Sequence, residues 1–113
     1  MPITVTLNTS LKPPVMVTPS PFEVTKKGLS EIAWAPAKGQ TFKFESLTFA
    51  DNPGVFSGKK VTDGAISIND NNETVGGEIN YPYTIVVSLD GVNYSSATAE
   101  PGGDGSAPVI RNR

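Results

Sequence analysis

The chain opens with ITVTLN, in which Ile3, Val5 and Leu7 alternate with Thr4, Thr6 and Asn8. A period of two predicts a strand with one buried face. SEIAWAP repeats the pattern with Ile32 and Trp34 on one face, and GAISIND repeats it with Ile66 and Ile68. FKFESLTF places Phe42 and Phe44, then Leu47 and Phe49, in phase; the spacing breaks at Ser46, which predicts a bulge. LKPPVMVTPSPFEVT carries four prolines. Proline cannot donate to a ladder, so this stretch predicts edge pieces at Val15–Val17 and Phe22–Val24 and no central strand. Only KKGLSEIAWAPAK comes near a helical period, and Gly28, Pro36 and Gly39 limit it.

YPYTIVVSLDGVNYSS is the clearest element. Asp90-Gly91 predicts a two-residue hairpin turn, because both turn positions need positive φ. That turn sets Leu89 against Val92, Ser88 against Asn93 and Val87 against Tyr94, with the apolar pairs on one face. The middle of YTIVVSL is apolar on both faces, as in a central strand. Residues 97–107, ATAEPGGDGSA, read as a flexible loop. The apolar Val109-Ile110 beyond it predicts a terminal strand over 108–111, which Pro108 can begin at a sheet edge.

Seven to nine short strands, punctuated by 10 Pro and 11 Gly, predict an all-β fold. The expected architecture is a single-domain antiparallel β-sandwich over 1–113, immunoglobulin-like or cupredoxin-like, with Trp34, Phe42, Phe44, Phe49, Ile66, Ile85, Val87 and Leu89 in its core. The 113-residue length suits one domain.

Composition narrows the chemistry. A net charge of −2 argues against a nucleic-acid surface, which carries a basic excess. The start lacks a basic region and a long apolar run, so it reads as a strand, not a targeting peptide. No stretch approaches the roughly 20 apolar residues of a membrane span. The chain has neither Cys nor His. This excludes disulfides, thiolate nucleophiles, Ser-His triads and His or Cys metal sites, and no cofactor is expected.

Three groupings remain. Asn69, Asp70, Asn71, Asn72 and Glu73 are rich in oxygen, as calcium requires, but their spacing misses the EF-hand pattern and a polar connection after Ile68 explains them. Trp34, Tyr81, Tyr83 and Tyr94 offer a platform for a sugar or peptide, but cross-strand packing is the stronger account of them. Glu100 and Asp104 share the late loop and are the candidate acids for proton transfer.

PFEVTKKGLSEIAW, FKFESLTF, YPYTIVVSLDGVNYS, AEP and APVIRNR together resemble the DP-EP family, small bacterial β-sandwich proteins with an Asp-Pro pair near the C-terminus. The resemblance covers about the last two-thirds of the chain and rests on layout more than on a strict motif. It implies an endopeptidase that cleaves itself at the Asp-Pro bond and self-assembles. Glu100-Pro101 matches the Glu-Pro element, whereas Ala107-Pro108 stands where Asp-Pro is expected. In the implied chemistry an aspartate carboxyl attacks its own carbonyl, or a second carboxylate activates water, and proline nitrogen leaves. Ala107 supplies no carboxyl, so the scissile position is inactive here, either through loss of cleavage or through a substitution that keeps the chain uncut. The chain also has no lysine after Lys60 to capture an activated aspartate. The alternative is a non-catalytic binding or assembly module for a protein or carbohydrate partner. In either reading, pairing of edge strands predicts a homo-oligomer.

Overall fold

The structure, a computed structural model, describes residues 2–50, 53–97 and 107–113. Its strands are β1 (Ile3–Leu7), β2 (Val15–Thr18), β3 (Phe22–Val24), β4 (Gly28–Pro36) and β5 (Lys43–Phe49), followed by β6 (Phe56–Val61), β7 (Ile66–Asn72), β8 (Ile79–Leu89), β9 (Val92–Ser95) and β10 (Val109–Asn112). No helix occurs among the described residues. The strands form a β-sandwich of two sheets, ordered β2-β1-β4-β7-β6 and β3-β10-β8-β5, with β9 also paired to β8.

The proline-rich stretch does what its prolines predict. It provides β2 at the edge of one sheet and β3 at the edge of the other, so it carries the chain between layers. This crossing makes both sheets mixed, where the sequence predicted antiparallel pairing throughout. β1 runs parallel to β4 (Ile3 beside Trp34), and β10 runs parallel to β3 (Ile110 beside Phe22). Neither contact is local in sequence, and alternation within a strand carries no information about its neighbour's direction.

The hairpin has the predicted register of Leu89–Val92, Ser88–Asn93 and Val87–Tyr94. Asp90 and Gly91 take φ of 52° and 80°, the left-handed values the turn demands. The irregularity in β5 lies at Glu45: Phe44 pairs with Val87 and Ser46 with Val86, leaving one residue extra.

Trp34, Phe42, Phe44, Ile66, Ile85 and Val87 are buried, joined by Ile3, Val5, Leu47 and Ile110. Phe49 and Leu89, expected in the core, are half-buried at its margin. The strand holding Ile66 and Ile68 continues to Asn72, alternating buried and half-buried positions. The polar run expected to be a connection is therefore strand, and Asp70 and Asn72 point into the sandwich. β6 was not visible in the sequence, because its residues Ser57, Gly58, Lys59 and Lys60 are polar and exposed. It is a bulged edge strand with Gly58 at φ 63°, a blunted edge of the kind that resists pairing with other chains.

Candidate functional site

The candidate position, Ala107-Pro108, is built by β8. Ser96 N–H donates to the Ile85 carbonyl at 2.9 Å, one step beyond the Ser95–Val86 pair of β9. Tyr83 N–H donates to the Pro108 carbonyl at 2.9 Å, one step before the Val109–Pro82 pair of β10. In an extended strand alternate residues direct their backbone groups to the same flank. β9 and β10 therefore lie end to end along one flank of β8, with β5 on the other. Ala97 and Ala107 both come level with Thr84. Residues 98–106 lie outside the described residues, as does most of the loop expected over 97–107, and Ala107-Pro108 is where the described chain takes up this flank again.

From that point the chain is held on both sides. β10 lies between β3 and β8. Pro108, Ile110 and Asn112 are buried, while Arg111 and Arg113 form ion pairs at the surface with Glu23 and Glu78. The far end is tied down too. Arg113 N–H donates to the Val24 carbonyl, and the Arg113 carbonyl accepts from Asn72 Nδ2 at 3.0 Å and Lys27 Nζ at 2.7 Å. Lys27 Nζ also donates to the Thr74 carbonyl.

Ala107 is half-buried beside an open cavity of about 310 Å³ lined by Thr48, Phe49, Ala50, Pro82, Tyr83 and Thr84. None of these carries a carboxylate. The candidate acids Glu100 and Asp104 lie outside the described residues. Asp70 is distant, since Asn112, which it contacts, is five strand residues from Ala107, about 16 Å along β10. Pro108 faces a second cavity, of about 390 Å³, whose lining includes Val15, Met16, Val17, Ser20 and Ser96. Ser20 Oγ accepts from Val109 N–H at 3.2 Å, and Ser96 Oγ accepts from Ile85 N–H at 2.9 Å. A hydroxyl that accepts at oxygen still has its proton to donate, as stabilising a carbonyl oxyanion requires. Sequence reasoning missed both serines. They stand far from residue 108 along the chain, and Ser-Pro and Ser-Ser pairs are common turn chemistry.

The oxygen-rich run is divided between two tasks. Asn72 is fully buried; its Nδ2 donates to the Val24, Lys26 and Arg113 carbonyls, and its Oδ1 accepts from Thr74 N–H. Asp70 is also fully buried, and its Oδ1 accepts from Asn112 Nδ2 at 2.9 Å. Asp70 Oδ2 and Asn112 Oδ1 have no partner. Burial raises the Asp70 carboxyl above its ordinary 3.8, opposed by the Asn112 hydrogen bond. Among the described residues no three Asp, Glu, His or Cys side chains gather as around a metal ion.

The aromatic grouping is core packing. Trp34 is fully buried, its Nε1–H donates to Tyr83 Oη at 3.0 Å, and the two rings meet edge to face at 5.5 Å. Such rings cannot stack on a sugar from solvent. Tyr81 packs edge-on against Phe56, which stacks on Phe49. No protein-family model matches the chain, and no curated protein matches it.

Proposed function

We propose that this chain is a self-processing β-sandwich of the DP-EP kind, silent because Ala107 occupies the position of the reacting aspartate. The observation that carries this reading is the return point at Ala107-Pro108. There the chain takes up the flank of β8 that β9 leaves, and everything beyond it is held by β3 and β8 independently of the peptide link. A break there leaves Pro108–Arg113 seated as a central strand.

The chemistry needs one added carboxyl. An aspartate at 107 attacks its own carbonyl carbon through a side-chain oxygen. The C–N bond to Pro108 breaks, the proline nitrogen takes up a proton, and the cyclic anhydride left behind is opened by water. The net reaction is hydrolysis of one peptide bond. Ser20 and Ser96, which line the cavity at Pro108, are the hydroxyls this reading enlists to assist.

The test is Ala107→Asp. Denaturing mass spectrometry is expected to find fragments 1–107 and 108–113, which co-elute in native gel filtration because β10 stays seated. The same variant held unfolded in urea at the same pH is expected to remain whole. An intact folded variant, or equal cleavage in the unfolded chain, sinks the reading.

A second reading, a non-catalytic assembly module, is favoured by β5. Its seven residues make it the longest strand at the edge of its sheet. On its outer flank Phe44 N–H is taken by the Asp63 carbonyl and the Leu47 carbonyl by Lys59 Nζ, so pairing with a second copy falls to the ladder groups nearer Phe49. Light scattering decides it: a monomer at millimolar concentration removes this reading, and a concentration-dependent dimer supports it.

A further inference from the structure

The interior end of β10 joins the Asn112 amide to the Asp70 carboxyl by one hydrogen bond, with one buried oxygen on each side left without a partner. Asn112 Nδ2 donates to Asp70 Oδ1, while Asp70 Oδ2 and Asn112 Oδ1, both without solvent contact, are left as two acceptors. Two acceptors cannot satisfy each other, and burying them unpaired is costly. A single proton on Oδ2 turns that oxygen into a donor, and its natural acceptor is Asn112 Oδ1. One proton then satisfies both atoms and closes a cyclic acid–amide pair.

We propose that Asp70 is folded in as the neutral acid, paired head to tail with the Asn112 amide, and that this pair is a proton-dependent latch on β10. Loss of the proton leaves a buried charge and an unpaired amide oxygen opposite each other, and the strand that carries Asn112 is the element that yields.

The surroundings offer the charge no relief. From β4, Ser30 stands opposite Asp70 in register, and the neighbouring Glu31 is exposed. From β6, Phe56 is the opposite residue, and Lys59 Nζ is engaged by the Leu47 carbonyl. From β8, Tyr81 is a phenol whose ionisation is pushed up by burial and then by Asp70's own charge. On β10 itself Arg111 and Arg113 are turned to Glu23 and Glu78. No cation faces the carboxyl among these elements.

The sign follows from linkage. A carboxyl whose proton is held more tightly in the folded chain contributes most below its unfolded value. That contribution falls as pH rises toward the folded value, by about tenfold in the unfolding constant per pH unit. The chain has no histidine, so between about pH 5 and about pH 7 no ordinary side chain obscures this slope.

Asp70→Asn is the discriminating variant, because an amide at 70 donates to Asn112 Oδ1 and accepts from Asn112 Nδ2 without needing a proton. Urea unfolding of the full chain, followed by Trp34 fluorescence, is expected to show wild-type stability falling with pH across that window and the variant's stability nearly flat. Hydrogen exchange at Ile110 and Asn112 is expected to be faster in wild type than in the variant at about pH 8 and equal at about pH 5. Equal pH slopes for the two proteins, or a variant less protected at every pH, overturns the latch. If the variant does not fold, the Asp70 side-chain carboxyl carbon in wild type decides by NMR: a resonance of the protonated acid at about pH 6 supports the proposal, and an ionised one ends it. The outcome is independent of cleavage at 107, because the wild-type chain is used uncut.

Discussion

At the residue scale, two side chains set terms that no neighbour in sequence could reveal. Asn72 ties the ends of β3, β10 and the turn after β7 through one amide. Its replacement by alanine leaves buried carbonyls unpaired and is expected to cost about 3 kcal/mol, read as a lowered urea midpoint. Asn72→Asp, which turns a carboxylate toward those carbonyls, is expected to be worse. Tyr83 is the second. Burial pushes its phenol up to about 12, against the pull of the Trp34 hydrogen bond. The unfolded phenol ionises near 10, so stability is expected to be intact below about pH 10 and to fall by about 2 kcal/mol toward about pH 12. Tyr83→Phe is expected to remove that part of the alkaline slope, leaving the contribution of Tyr81, whose phenol is also pushed up. It also leaves the indole N–H without an acceptor, at about 1–3 kcal/mol in neutral urea unfolding. Trp34 was legible as core from its strand period, but its pairing with Tyr83 was not. The two lie on different sheets, and only the approach of the sheets brings phenol and indole together.

At the scale of the element, the chain was most readable where structure is made locally. The Asp90-Gly91 hairpin has its predicted register because turn type and strand twist fix it within a few residues. The edge pieces at 15–17 and 22–24 are where the prolines allow them. β6 was unreadable for the complementary reason: an exposed edge strand buries no face, so no alternation marks it. Its shape rests on Gly58, where a Cβ would lie 2.8 Å from Asn69 Nδ2 and φ is 63°. Gly58→Ala is expected to cost about 1–2 kcal/mol in thermal or urea unfolding, and Gly58→Asn less, since asparagine tolerates left-handed backbone. β7 was read as ending too soon. Asn and Asp signal turns by composition, and only the buried amide network makes Asp70 and Asn72 acceptable in a strand.

For the whole molecule, the deciding feature is that the last strand of the chain is an interior strand of its sheet. Ending the chain at Ala107 removes a partner from both β3 and β8 and takes Ile110 and Asn112 out of the interior. The truncated chain is expected to lose its cooperative thermal transition by circular dichroism, whereas a chain cut at the same bond but retaining the fragment keeps it. Part of the candidate site could be read in advance: a Pro-led apolar pair after a glycine-rich loop predicted a docked terminal strand, and Ala107-Pro108 stands at its threshold. The residues around that threshold could not, because Thr84, Ser20 and Ser96 reach it from three separate parts of the chain. By itself the sequence determined the all-β class, the turn at Asp90-Gly91, most of the core and the exclusion of thiol and imidazole chemistry, all consequences of residue type and short-range periodicity. Tertiary structure alone decided that β1 runs parallel to β4 and β10 parallel to β3, that β9 and β10 share one flank of β8, and that Asp70 meets Asn112. Those contacts join residues tens of positions apart. They are chosen by how two twisted sheets bury their apolar faces together, which no local pattern encodes.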